Sequence, residues 1–182
     1  MAADPTRALL RDLERQSRHD PHDDRVRVGV AGRANGHCEY CLLKTGGQFQ
    51  IDHIIPPALW KRYVAGTLAA VPLIAGRGGP DHLDNFAWSC PFCNNQKRQQ
   101  VRYPSRGRGT RLFDPRNDIW MEHFAFVHDY LFIIGLTPIG EATVQALMLN
   151  DSRLQNRLAL RHSAIMSGEY PPDWARNLSI KI

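Results

Sequence analysis

The sequence predicts an α+β fold that is closed by a metal site. Its four cysteines form two pairs with the same spacing, Cys38–Cys41 and Cys90–Cys93. Apolar and polar residues alternate at 48–51 and again at 85–90, as they do in half-buried strands. A run without a helix breaker follows from residue 93 to residue 102. The predicted centre of the molecule therefore consists of two strands followed by a helix, with the cysteine pairs next to these elements.

The spacing of the cysteines indicates a structural zinc site. Two residues between cysteines let both sulfurs of one turn bind the same ion, and four thiolates complete a tetrahedron. We therefore predict that Zn²⁺ is bound by Cys38, Cys41, Cys90 and Cys93. The interval between the two pairs is 48 residues, whereas a compact zinc ribbon has about 15–20. Further folded structure is therefore expected within that interval.

Two other roles of the cysteines stay open at this point. A disulfide framework is typical of small secreted proteins, but the chain begins without a charged-then-apolar leader. A redox dithiol accounts for one pair and leaves the other unexplained. No apolar run is long enough to span a bilayer. We therefore expect reduced thiols, a cytoplasmic location and no membrane partner.

Helical and strand patterns also flank the cysteine region. Residues 6–14 fit a short capped helix, and 19–24 favour a linker. Residues 26–36 fit a helix with Gly36 as its C-cap, although three alternating valines also fit a strand. Further helices are predicted over 58–70, 137–150 (with Thr137 as cap and Pro138 in the first turn) and 151–166, and a strand over 129–136. N-terminal helices and a C-terminal strand–helix extension thus complete the predicted fold class.

The net charge of +5 is concentrated in residues 94–116, which we call the basic segment. It carries seven Lys or Arg residues against Asp114 alone, and the rest of the chain is close to neutral. Such a concentration is typical of proteins that bind the phosphate backbone of nucleic acids, and arginine favours forked contacts to phosphate oxygens. The alternative is a solvated face that only keeps the protein soluble. The neighbouring cysteines favour the first interpretation.

Four polar residues near the cysteines suggest a second, catalytic metal site. Asp52 and the side-chain carbonyl of Asn94 are oxygen ligands of the kind that Mg²⁺ prefers, and His53 can take a proton from a water molecule near neutral pH. Each has an ordinary alternative: Asp52 can cap a turn, His53 can be structural, Asn85 can turn the chain and Asn94 can cap a helix. Neighbours in a strand point to opposite faces, so Asp52 and His53 do not readily bind one ion.

Taken together, these motifs resemble the zinc-stapled branch of the HNH endonuclease family. The similarity covers about residues 26–100 and includes the cysteine pairs, Asp52-His53-Ile54-Ile55-Pro56, Asp84-Asn85 and Cys93-Asn94. It implies a ββα-metal core, His53 as general base, Asp52 and Asn94 as ligands of a catalytic Mg²⁺ or Mn²⁺, and Asn85 as a support of the loop that orients His53. Lys97 matches a frequent family lysine, which suggests a phosphate contact. The insertion at 60–80 lengthens the family interval between His53 and Asn85.

We therefore expect a metal-dependent endonuclease that hydrolyses phosphodiester bonds in nucleic acid, with DNA favoured. The expected segments are a helical arm and linker (1–25), the HNH core (26–105) and an accessory extension (106–182). The predicted nucleic-acid-binding residues are Lys97, Arg98, Arg102, Arg106, Arg108 and Arg111. One alternative is a zinc-stapled nucleic-acid-binding module without catalysis, and another is a metal-knotted protein-interaction domain. We expect His37 and His82 to be structural, and the oligomeric state is not indicated.

Overall fold

The computed structural model of the chain describes residues 5–44, 48–67, 77–104, 109–151 and 156–180. Its helices and strands, in chain order, are α1 (Pro5–Leu13), α2 (Asp24–Arg33), β1 (Gln50–His53), α3 (Pro57–Val64), β2 (Phe86–Ser89), α4 (Pro91–Lys97), β3 (Arg102–Tyr103), β4 (Thr110–Arg111), α5 (Trp120–His123), β5 (Phe124–Val127), β6 (Phe132–Gly135), α6 (Pro138–Ala146) and α7 (Arg157–Met166). Short 3-10 helices lie at Leu83–Asn85 and Asp173–Leu178. This mixture of helices and small sheets confirms the predicted α+β class.

The chain divides into two compact units that alternate along the sequence. The first unit consists of Met1–Gly36 and Ile51–Trp88, and the second consists of His37–Gln50 and Ser89–Ile182. The three successive segments expected from the sequence, 1–25, 26–105 and 106–182, stay a prediction. Within the described residues, no helix has both the length and the apolar character needed to cross a bilayer.

The first unit is built on two N-terminal helices and the β1–β2 sheet. Its core consists of Leu13, Val26, Val30, Leu83 and Phe86, with Leu9, Ile51 and Trp88 packed at the edge. A Cβ on Gly29 would lie 2.9 Å from Leu13 Cδ1, so glycine allows α1 and α2 to pack closely. Helix α2 confirms the helical interpretation of the three alternating valines. The second of them, Val28, is 58% exposed, because a helix does not place alternate residues on one face.

The second unit contains the antiparallel hairpins β3–β4 and β5–β6. Aromatic rings pack around β5, where Trp120 lies 5.2 Å from Phe126 and Phe126 lies 5.6 Å from Tyr170 between ring centroids. Helix α6 begins as predicted, with Pro138 in its first turn and the Thr137 hydroxyl accepting a hydrogen bond from the Gly140 amide at 3.1 Å. A Cβ on Gly140 would lie 2.0 Å from His123 O, so this helix requires glycine there.

Several predicted boundaries differ in the structure. The strand expected over 129–136 begins only at Phe132, because Asp129 and Tyr130 have positive φ and turn the chain from β5 into β6. Strand β5 was not predicted. Helix α3 ends at Val64 instead of residue 70, and the helix expected over 151–166 begins at Arg157. The other residues of these two predictions include 68–70 and 152–155, which lie outside the described residues.

Helix α4 also begins earlier than expected. Cys90 is its N-cap and Pro91 its first residue, so Asn94 lies within the helix instead of capping it. Proline suits the first helical position because its fixed φ fits the helix and the amide that it lacks has no partner there. Strand β1 ends at His53 and strand β2 begins after the 3-10 turn Leu83–Asn85, so the chain order strand, strand, helix is present.

Candidate metal centre and active site

The four cysteines meet in the interior of the second unit. Their sulfur atoms all lie within 4.8 Å of one another, and all four residues are fully buried. The Sγ atoms of Cys41 and Cys90 are 3.7 Å apart, far beyond the ~2.05 Å of a disulfide. A tetrahedral zinc with Zn–S bonds of about 2.3 Å places its sulfurs ~3.8 Å apart. The cluster can therefore hold a metal ion such as zinc, and in the described chain His37 is not part of it.

Local backbone structure presents each cysteine pair. The first pair lies in a tight turn, where the Cys38 amide donates to Leu43 O at 3.0 Å and the Leu42 amide donates to Cys38 O at 2.8 Å. Leu42 completes this turn with a φ of +61°. The second pair occupies the start of α4, since Cys90 is the N-cap and Cys93 lies in the first turn. Both pairs thus point their sulfurs inward from short, hydrogen-bonded turns.

The electrostatics of the cluster favour a bound cation. Burial raises the pKa of the Cys38 and Cys93 thiols. A hydrogen bond from Cys38, together with those from the other two thiols, lowers the pKa of Cys41. Four buried thiolates without a cation would be costly in free energy. A divalent ion that prefers sulfur holds all four groups as thiolates, so the donor set fits zinc.

In the first unit, the histidine at the end of β1 is held on two sides. His53 Nε2 lies 3.3 Å from Asp81 Oδ1, and the His53 ring packs edge-on against Phe86 with 5.1 Å between centroids. The other carboxylate oxygen of Asp81 lies 3.1 Å from Arg18 Nη2. Asp52, the preceding residue in the strand, is only 4% exposed. One carboxylate therefore bridges the histidine of β1 and an arginine of the N-terminal segment.

Asn85 fastens the two chain segments that flank this contact. Its side chain is fully buried, with Oδ1 accepting from the Ile55 amide at 2.9 Å. Its Nδ2 donates to Ile55 O at 2.8 Å and to Pro80 O at 2.9 Å. Ile55 lies two residues after His53, and Pro80 directly precedes Asp81. The arrangement fixes both backbones that carry the histidine and its carboxylate partner.

Asp81 is a candidate functional residue that the sequence did not reveal. It lies 28 positions from His53, and a single aspartate in a Gly- and Pro-containing loop carries no periodic or motif signal. Its backbone is also anchored, because the His19 amide donates to Asp81 O at 2.8 Å. His19 itself is buried, with Nε2 2.9 Å from Leu13 O. The N-terminal segment thus supports the loop that contacts His53.

Asn94 and Lys97 belong to the second unit, in helix α4. The side-chain amide nitrogen of Asn94 donates to Gln50 Oε1, which leaves its carbonyl oxygen as the group suited to a cation. Lys97 is 1% exposed, which differs from the surface position expected of a phosphate contact. The reason is its position one turn after buried Cys93, since residues four apart share a helix face.

The arginines of the basic segment differ in their exposure and in their ion-pair partners. Arg98 and Arg102 are exposed. Arg111 donates to both carboxylate oxygens of Asp118, at 2.5 and 2.7 Å, and Arg116 forms an ion pair with Glu39. Arg106 and Arg108 lie outside the described residues. Among the described members, Arg98 and Arg102 are therefore the best placed to meet a phosphate backbone.

A groove of about 690 Å³ lies beside Arg98 within the second unit. Arg98 and Tyr103 line it together with the amide side chains of Gln96, Gln100 and Gln145 and the acidic Asp151. A cation, an aromatic ring and several amides are the groups that contact phosphates and bases in nucleic-acid complexes.

Fold and site together define an α+β protein with a buried four-cysteine cluster that can hold a metal ion. Comparison with models of protein families, with curated proteins and with solved structures found no match. The HNH resemblance thus depends on the motif residues themselves, and what it implies belongs to the proposal that follows.

Proposed function

We propose that the protein is a metal-dependent endonuclease of the HNH type, with a ββα-metal core stapled by zinc. In this proposal it hydrolyses phosphodiester bonds in nucleic acid, with DNA as the favoured substrate. His53 acts as the general base, and Asp52 and Asn94 are the protein ligands of Mg²⁺ or Mn²⁺. Asn94 lies in the second unit, and its part in the ion site stays a prediction.

The fixing of His53 by Asp81 is the observation that carries this proposal. A histidine acts as a base only when one ring nitrogen keeps the proton and the other presents its lone pair. A carboxylate only accepts hydrogen bonds, so in the neutral imidazole the contact of 3.3 Å with Asp81 places the proton on Nε2 and the lone pair on Nδ1. The edge contact with Phe86 limits rotation of the ring. The His53 side chain is 21% exposed, so solvent water has access to it.

Asn85 and Asp52 supply the remaining parts of the proposed site. The three hydrogen bonds of Asn85 hold the backbone after His53 and before Asp81, so the base keeps its orientation. The Asp52 carboxylate is buried next to His53 in the strand, where it is a suitable oxygen ligand for a hard cation. When bound, such an ion offsets the negative charge that builds on the phosphate and on the leaving oxygen.

The proposed reaction is a hydrolysis in which water is the nucleophile. His53 takes the proton from the attacking water, and the new P–O bond forms as the bond to the leaving sugar oxygen breaks. The leaving oxygen takes a proton from solvent, and His53 returns its own proton to solvent. Zinc in the cysteine cluster has no part in these steps, because its four ligands leave no open position.

Incubating the full chain with plasmid DNA, single-stranded DNA and RNA tests this proposal. Cleavage should require Mg²⁺ or Mn²⁺, stop with EDTA and resume when Mg²⁺ is restored. Metal analysis after the EDTA step should still find zinc in the protein, since a buried four-thiolate site releases its ion slowly. Cleavage that continues in EDTA would contradict the catalytic metal. Binding of nucleic acid without cleavage under every condition would instead favour the non-catalytic module.

A further inference from the structure

The first residue of helix α7 reaches into the cysteine cluster. Arg157 is fully buried, and its Nη2 lies 2.7 Å from Cys93 Sγ. Its Nη1 donates to Leu147 O at 2.8 Å and to Met148 O at 3.1 Å. The guanidinium also lies over the ring of Phe92, 5.7 Å from its centroid. The planar group therefore contacts a cysteine sulfur with one nitrogen and backbone carbonyls with the other.

The positive guanidinium of Arg157 complements the negative charge of the four cysteines when they bind a metal ion. Four thiolates around one Zn²⁺ carry a net charge of −2, which is costly to bury without compensation. A buried guanidinium is equally costly unless it is paired and hydrogen-bonded. Arg157 offsets one of these two negative charges, because its guanidinium lies at hydrogen-bond distance from Cys93 Sγ. This contact could not be predicted from the sequence, since Arg157 is separated from Cys93 by 64 positions.

Two further side chains of the C-terminal extension hold the first cysteine pair. The Tyr170 hydroxyl donates to Cys41 O at 3.0 Å, and Tyr170 is 1% exposed. Trp120 Nε1 donates to Tyr40 O at 3.0 Å. The extension therefore contacts a sulfur of the second pair and the backbone of the first pair.

We propose that the C-terminal extension completes the metal centre, with Arg157 as the counter-charge of the zinc-bound thiolates and Tyr170 as the support of the first cysteine turn. Zinc affinity then depends on residues far beyond the last cysteine ligand. The extension is part of the metal site and not a separate accessory piece. This assignment is independent of the nuclease proposal, because it concerns zinc retention and not cleavage.

Zinc affinity measured by competition with a chromogenic chelator tests the role of Arg157. Arg157→Gln removes the charge and keeps an amide donor, and we expect its zinc affinity to fall by about tenfold or more. Arg157→Lys keeps the charge and should lose less. Arg33→Gln is the control, because the Arg33 guanidinium likewise donates to two backbone carbonyls, Leu83 O and Phe86 O, but lies in the first unit, which holds none of the four cysteines. Equal zinc affinities of Arg157→Gln and Arg33→Gln would overturn the proposal.

Two spectroscopic readouts separate a direct contact from a general loss of stability. In Co²⁺-loaded protein, the sulfur-to-cobalt charge-transfer band should shift in Arg157→Gln and stay unchanged in Arg33→Gln. If Arg157→Gln does not fold, the wild-type protein loaded with ¹¹³Cd provides the test. A scalar coupling between the metal and an Arg157 Nη proton is expected through the sulfur. Rapid exchange of those protons with water, without a coupling, would contradict the contact.

Discussion

Asp81 holds His53 by a contact of 3.3 Å between its Oδ1 and the histidine Nε2. The same carboxylate pairs with Arg18 through its other oxygen, at 3.1 Å. A carboxylate that orients a histidine sets the tautomer and direction of the ring, and such supporting residues affect activity strongly. In the proposed enzyme, Asp81 is therefore a positioning residue that acts through the base.

The first prediction concerns Asp81 itself. Asp81→Asn should lower kcat by about 10–100-fold with little change in KM, because the amide no longer fixes the ring as a carboxylate does. Steady-state cleavage of a fluorogenic oligonucleotide measures both constants. Asp84→Asn is the matched control, since Asp84 lies in the same loop with its side chain 59% exposed. An unchanged kcat in Asp81→Asn would show that Asp81 does not position His53 for catalysis.

The second prediction separates His53 from a neighbouring histidine. His53→Ala should reduce cleavage by about 10²–10⁴-fold, the usual contribution of a general base, while binding of nucleic acid and the melting temperature stay close to wild type. His82→Ala serves as the control, because its carboxylate partner is the exposed Asp84, whose Oδ2 lies 3.3 Å from His82 Nδ1, and its ring packs against His19 and not in the His53 site. Equal nicking by His53→Ala and wild type would refute the assigned role.

The third prediction concerns the stability that Asn85 provides. Asn85→Ala leaves the buried Ile55 amide without its partner, which should cost about 1–3 kcal/mol in the free energy of unfolding. Asn85→Asp keeps the acceptor but turns a second oxygen toward Ile55 O and Pro80 O, so it should cost at least as much. Urea denaturation followed by circular dichroism measures both. A loss below ~0.5 kcal/mol in both variants would contradict a stabilising role of the three Asn85 hydrogen bonds.

The fourth prediction tests structural zinc. Cys90→Ser should lose zinc and stable folding, because metal binding to such a site is itself folding free energy. Elemental analysis and thermal melting provide the measurements. Wild-type protein stripped of zinc by a strong chelator is the control, and its melting curve should match that of the variant. An unchanged melting curve in Cys90→Ser would count against a metal that stabilises the fold.

The fifth prediction concerns the basic segment. Arg98→Ala and Arg102→Ala should each lower the slope of log affinity against log salt by about 1, as expected when one phosphate contact is lost. Arg111→Ala should leave the slope unchanged and lower stability instead, because Asp118 already engages its guanidinium. Fluorescence anisotropy over a salt series measures the slopes. A flat salt response in the wild-type protein would remove the phosphate-binding role of the basic segment.

Local signals in the sequence predicted local structure well. The Thr137–Pro138 start of α6 follows from capping and turn chemistry over a few residues. The helix predicted over 26–36 is present as α2, but its N-cap is Asp23 and its C-cap is Ala34 instead of Gly36. The four-cysteine cluster was also predictable, since repeated spacing reflects the geometry of one ion. Strand β5 was not, because its four consecutive buried residues show no alternation.

Long-range partners could not be predicted from single residues. Asp81 and Arg157 look like ordinary charged residues of a loop and a helix, and their importance comes from partners 28 and 64 positions away. Some charged side chains are also buried, although the sequence suggests that they are exposed. Lys97 belongs to the basic segment of the sequence, yet its side chain is buried on the face of α4 that carries Cys93. Composition records a charge but not the direction in which the backbone presents it.

The alternation of the two units has a consequence for how this protein can be divided. Residues 37–50 and 51–88 each interrupt the other unit, so no single cut yields two fragments that each contain a whole unit. A fragment starting at Ser89 would carry only Cys90 and Cys93 and would lack half of the sulfur donors. Neither unit can therefore be transplanted into another protein as one uninterrupted piece.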